Sequence, residues 1–192
     1  MSSGELPIES ILRGSADEAL ARAVDQLYCR LDDRIASYGA RCWNRGWCCQ
    51  FGRYGHYLFA TTVELAYFVR FEGLRLRRPS GRWCPYHEGG LCAARPHRPV
   101  GCRIFFCDPA GRWWQGREYE AVQRELVALH LQTGLSYCYT EWNVALTSLA
   151  EVLSGGRSQM SGPVRPERGV ADVAQQLSRA GWGLGRSVGG GR

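Results

Sequence analysis

The sequence predicts a mainly α fold, a small helical domain around an irregular, loop-rich cysteine core. Apolar residues recur at three- and four-residue spacing behind capping signatures, which predicts amphipathic helices. Between them run two stretches rich in Gly, Pro and aromatic residues, where regular structure cannot extend far. Seven of the nine cysteines fall in those irregular stretches.

The first helix is predicted from about Ala16 to Ser37. Ser15-Ala16-Asp17-Glu18 has the form of a capping box, and Leu20, Val24, Leu27, Leu31 and Ile35 make one face. Cys29 lies inside this pattern and reads as a lone buried thiol. Residues 39–60 show no clear periodicity. Thr61-Thr62-Val63-Glu64 is a second capping box, opening the helix VELAYFVRFEG that Gly73 terminates. Residues 74–112 contain Pro79, Pro85, Pro96, Pro99 and Pro109, and so long a structureless segment requires a tether. A third helix is expected over residues 117–133, with Val122, Leu126 and Leu129 on one face and Gly134 as its stop. His130, beside that face, reads as structural. The last helix covers residues 140–153, with Trp142, Leu146, Leu149 and Leu153; Cys138, just before it, reads as a core thiol. From Ser154 onward 10 of 39 residues are Gly, which predicts a flexible basic tail over 154–192 behind a domain of residues 1–153. Within the tail, residues 170–180 read as a transient helix.

Composition bounds the chemistry. At 192 residues and 45% hydrophobic, the chain suffices for one domain with an ordinary core. The first residues, MSSGELPIESILRG, have no basic and apolar succession of a signal peptide, and no run approaches the roughly 20 apolar residues of a membrane span. A soluble, cytoplasmic protein without membrane contact is therefore expected. Cytoplasmic thiols stay reduced, so an odd number of clustered cysteines points to metal or redox chemistry before disulfides. The formal charge of +6 is uneven: residues 41–112 carry 12 Arg against 4 acids, whereas residues 1–40 and 113–153 are each net negative. The positive block coincides with the cysteines, where arginine offsets thiolate charge, and this argues against nucleic acid as the partner. All basic residues are Arg, which excludes a Schiff-base or P-loop lysine.

Cys42, Cys48 and Cys49 in CWNRGWCC, then Cys84, Cys92, Cys102 and Cys107, lie within 66 residues. Soft thiolates select zinc, copper(I) or iron–sulfur centres. A metal would also supply the missing tether, because ligation free energy becomes folding free energy. His56, His87 and His97 lie near the cysteines and are further candidates, though each alone reads more readily as surface or structural.

CWNRGWCC, a Thr-capped helix, CPYHEGGLC, RPVGCRIF and LHLQTGLSYCYTEW follow one another over residues 40–146. Together they resemble the YkgJ-type cysteine-cluster proteins, named for a C-x-x-C-x-x-C-C motif and described as zinc- or iron-chelating or as iron–sulfur oxidoreductases. The resemblance implies Cys42, Cys48, Cys49, Cys84, Cys92 and Cys102 as metal ligands. It marks Arg98 and Arg103 as residues that hydrogen-bond to the thiolates and offset their charge. The chain departs from the motif at Arg45, which stands where the second cysteine would fall and has no lone pair to offer. Cys107 is the expected replacement, keeping seven sulfurs; the alternative is a core thiol beside Phe105 and Phe106.

Only Cys102 and Cys107 keep a zinc-knuckle spacing, and adjacent Cys48 and Cys49 diverge in direction, which suits a polynuclear centre or two neighbouring sites. Trp43, Trp47, Trp83, Phe105 and Phe106 are expected to keep solvent from it. There is no ferredoxin C-x₂-C-x₂-C run. The expected cofactor is iron or an iron–sulfur cluster, with zinc as the alternative, in a protein of electron transfer, sensing or metal handling. Two other classes stand beside it. One is a protein-modifying enzyme similar to flagellin lysine N-methylase, although no G-x-G-x-x-G marks a methyl-donor pocket. The other is a zinc-stabilised nucleic-acid-binding module using the arginine block.

Overall fold

The computed structural model describes residues 6–40, 42, 43, 45–105 and 111–154. Among them the chain is mainly α, as expected. Its helices are α1 (Ile8–Ala16), α2 (Glu18–Ser37), α3 (Phe51–Tyr54), α4 (Thr62–Glu72), α5 (Val100–Ile104), α6 (Arg112–Thr133) and α7 (Trp142–Leu153). The short strands β1 (Phe59–Thr61) and β4 (Tyr139–Glu141) pair antiparallel, as do β2 (His87–Glu88) and β3 (Leu91–Cys92). Cys107, Phe106 and the tail beyond Ser154, with its expected helix at 170–180, lie outside the described residues.

α4 is the centre of the molecule. Every residue from Thr62 to Val69 is buried, so this helix is enclosed on all sides rather than amphipathic. α1 packs along it most extensively, with α2 and α6 on other faces. Its capping box forms in full: the Glu64 carboxylate accepts from the Thr61 backbone N–H at 2.8 Å, and Thr61 Oγ1 accepts from the Glu64 N–H at 3.4 Å. The β1–β4 pair sets Thr61 opposite Tyr139 and so brings the starts of α4 and α7 side by side. At the second start, Glu141 accepts from the Val144 N–H at 2.8 Å.

The N-terminal region departs from the sequence reading. Residues 8–16 form a separate helix, α1, and the cap of α2 is Asp17, whose carboxylate accepts from Ala19 and Leu20 at 2.8 and 3.1 Å. Ser15 instead donates to the Leu12 carbonyl at 2.7 Å, because it is already part of α1's last turn. The apolar face of α2 is buried as expected, from Leu20 through Ile35. Cys29 is exposed, which corrects its reading as a buried thiol. It follows Tyr28, which does face the core, and the helical turn carries the next side chain outward. α6 begins at Arg112, earlier than expected, with Val122 and Leu126 fully buried. Cys138 and His130 are both buried, in keeping with structural roles, and burial holds His130 below its ordinary pKa. No helix among the described residues is long and apolar enough to cross a membrane.

Candidate metal centre

Three irregular segments carry the predicted ligands, and backbone hydrogen bonds stitch two of them together. A 3₁₀ turn at Trp47–Cys49 presents Cys48 and Cys49. The Cys84 N–H donates to the Cys49 carbonyl at 2.8 Å, and the Gly52 N–H to Arg82 at 2.8 Å. Cys92 ends a tight hairpin turned by Gly89 and Gly90, whose φ values of 53° and 85° match the hairpin turns that need two positive φ angles. Cys102 lies in α5, whose first N–H, on Val100, donates to the Glu64 carboxylate at 2.9 Å. The capping carboxylate of the central helix thus also fixes the helix bearing Cys102.

Five of these sulfurs meet at one cavity of about 30 Å³, lined by Cys42, Cys48, Cys49, Cys92 and Cys102 with Trp43, Arg45, Gly46, Trp47, Arg95 and Arg98. No carboxylate lines it. Cys49 lies at the heart of the group, its thiol next to those of Cys48, Cys84 and Cys92. Its proximity pulls the Cys48 thiol down to about 7 and Cys92 to about 6, and lowers Cys84 as well. Cys49 keeps its proton, pushed far up by the same contacts, and burial pushes Cys102 up. Adjacent Cys48 and Cys49 do not diverge to separate sites; the 3₁₀ turn lets both line the same cavity.

The donor chemistry fits a thiophilic metal, since five cysteines and no carboxylate are among the lining residues described and Cys48 and Cys92 tend to the thiolate. Among the described residues no group of three or more His, Cys, Asp or Glu side chains stands ready to hold an ion. Binding a metal would therefore mean displacing thiol protons and drawing the sulfurs together.

The two expected arginines part company. Arg98 lines the cavity and its charge lowers Cys48 and Cys92, while its Nε is buried with no hydrogen-bond partner. Arg103 does not turn to the sulfurs. It donates to Asp32 at 2.6 Å and to the Arg98 carbonyl at 3.0 Å, and its guanidinium lies 4.0 Å from the Tyr28 ring centre. It fastens the segment to α2. Arg95, which sequence reasoning passed over, donates to Cys42 Sγ at 3.6 Å. Only its membership of the arginine block could have pointed to it.

Gly46 was also missed. It is buried with φ 65°, and a Cβ there would stand 2.4 Å from His87 Nε2 and 2.7 Å from the Gly90 carbonyl. The Cys48–Cys49 segment can approach the Cys92 hairpin only because this residue has no side chain. His56 donates to the Cys48 carbonyl at 3.0 Å, and His97 stacks on Phe71 at 4.2 Å, so both are engaged structurally. None of the three histidines lines the cavity. The tryptophans seal it only in part: Trp43 and Trp47 line the cavity but are 50% and 39% exposed, and Trp83, 43% exposed, does not line it. Phe105 packs on Tyr119 at 5.1 Å.

No protein-family model, curated protein or solved structure matches the chain.

Proposed function

We propose that the protein binds iron, an iron–sulfur cluster or zinc through its clustered cysteines and acts in electron transfer, sensing or metal handling, with iron preferred. The observation that carries this reading is the cavity lined by Cys42, Cys48, Cys49, Cys92 and Cys102, residues brought together from separate parts of the chain. Reduced thiols gain little by sharing one another's company, whereas a soft metal exchanges several weak S–H contacts for metal–sulfur bonds. Cys42, Cys48, Cys49, Cys84, Cys92 and Cys102 are the residues that would hold it. Arg95 and Arg98 offset the negative charge of the thiolates. As it stands, a cavity of about 30 Å³ has room for roughly one or two waters, hence for a single ion.

When bound, the metal supplies thiolate-ligated redox or structural chemistry and the tether of the irregular segments. The test is anaerobic purification with elemental analysis and an absorption spectrum. Visible sulfur-to-iron absorption marks iron, and a colourless protein with stoichiometric zinc marks zinc. Cys49→Ser and Cys102→Ser should lose the metal, while Cys29→Ser and Cys138→Ser should retain it. A metal-free protein whose thiols all titrate freely, even after reconstitution, would rule the proposal out.

A further inference from the structure

Residues 34–63 contain four arginines and no acid. Within that stretch the side chains build a ladder on the surface. The Arg45 guanidinium lies 4.9 Å from the Trp43 ring centre and 5.3 Å from that of Trp47. Trp47 faces Tyr54 at 6.1 Å, and Arg53 covers Tyr54 at 5.6 Å. All five side chains are exposed. Three of them, Trp43, Arg45 and Trp47, form the wall of the sulfur cavity.

The arginines elsewhere divide: Arg13, Arg70 and Arg75 donate to backbone carbonyls, Arg117 lies over Trp113, and Arg34 pairs with Glu118. Arg22, Arg30, Arg77, Arg78 and Arg103 each pair with a carboxylate. Among the described residues neither Arg45 nor Arg53 has an acidic partner. A guanidinium laid over an aromatic ring keeps its N–H donors in its own plane, where they remain available to a planar anion. Stacking also restrains the long side chain, so less freedom is lost when a ligand binds. Exposed Trp, Tyr and Arg together are the side chains that concentrate binding energy at protein interfaces.

We propose that the Trp43–Arg45–Trp47–Tyr54–Arg53 ladder is a docking surface for a protein partner presenting a carboxylate-rich segment at the mouth of the sulfur cavity. Carboxylates match the guanidinium edges, of which Arg53 commits one donor to Gln50 at 3.4 Å, and the aromatic rings supply apolar area around them. Stacked nucleobases need open ring faces instead, and here a guanidinium group lies over one face of each of Trp43, Trp47 and Tyr54, which reduces the area left for stacking. Docking at this place would bring the partner to whatever the cysteines hold. The proposal itself does not rest on the metal, since Arg45 makes no hydrogen bond to sulfur among the described residues.

The experiment titrates the full chain with a hexaglutamate peptide and, separately, with an oligothymidylate of equal charge, following tryptophan fluorescence at low and high salt. The peptide should bind, and salt should weaken it. Arg45→Ala and Trp43→Ala should each weaken binding by about tenfold or more, the range of interface hot spots. Arg22→Ala, on α2, should not, and Arg53→Ala, outside the cavity wall, should weaken peptide binding while keeping the metal content of the parent protein. No binding at low salt, or binding indifferent to Arg45→Ala, overturns the proposal. Tighter binding of the oligothymidylate also overturns it, in favour of a single-stranded nucleic-acid ligand. Peptide binding by a protein that never takes up metal would refute the function proposed above and leave this surface standing.

Discussion

The helical part of the molecule (α1, α2, α4, α6 and α7) and the sulfur-bearing part (residues 42–54 and 82–105) are held by different means. In the first, Leu20, Val24, Leu65, Phe68, Leu126 and Leu146 are buried against one another and helical hydrogen bonds satisfy the backbone. In the second, elements run for only two to five residues, and order comes from a few inter-segment hydrogen bonds, one close approach at Gly46 and the gathered thiols. Apolar burial is non-directional and works with any closely packed set of side chains. Contacts among thiols are weak and directional, and they change character when a proton is replaced by a metal. On the reading proposed above, the helical part would fold on its own account, and the sulfur-bearing part would depend on the metal its sulfurs bind.

The largest effect tests the first half of that contrast. Leu65→Ala, at a fully buried position in α4, should lower global stability by about 3 kcal/mol. The loss should be equal with and without chelator, read from denaturant midpoints. A chelator-dependent loss would show that the helical part is not independent of the sulfurs.

Gly46→Ala probes the second half. Its left-handed backbone and the nearby Gly90 carbonyl should make it cost about 2 kcal/mol, confined to the sulfur-bearing segments. Limited proteolysis should then cut between residues 74 and 105 while α2 stays protected, and chelation of the parent protein should give the same pattern. Uniform protection in both cases would contradict the two-part picture.

The smallest effect lies at the joint. Glu64 caps α4 and also accepts from Val100 at the start of α5, so Glu64→Gln, which keeps one acceptor oxygen, should cost about 1 kcal/mol. Burial holds the Glu64 carboxyl above its ordinary pKa, so the folded chain binds this proton more tightly than the unfolded chain. Its contribution is complete below about pH 4 and is lost as pH rises through the folded value. The advantage of the parent protein over Glu64→Gln should accordingly shrink from acid to neutral pH in a series of urea midpoints. A constant gap would mean that the hydrogen bonds to Glu64 fully offset its burial.

Legibility followed the same division. Helix positions at α2, α4, α6 and α7 could be read because periodicity and capping are local, and the Thr61–Glu64 box formed as written. The start of α2 was misread where two signals competed. Ser15 and Asp17 both suit a cap, and α1's last turn claimed Ser15. At the sulfur site, composition and spacing singled out the cysteines that line the cavity but misjudged their surroundings. The tryptophans expected as a seal stand at the surface, Arg103 is spent on Asp32 and Tyr28, and Arg95 takes the place beside Cys42.

By itself the sequence determined that the protein is mainly helical, where most helices run, and that its sulfur lies in two irregular stretches. Those features depend on neighbours a few residues away along the chain. Only the tertiary structure decided that Cys49 meets Cys48, Cys84 and Cys92, that Gly46 must lack a side chain, and that Glu64 serves two helices at once. In irregular chain no repeat dictates where a side chain points. Its direction is settled by the segments packed against it, which lie tens of residues away in the sequence.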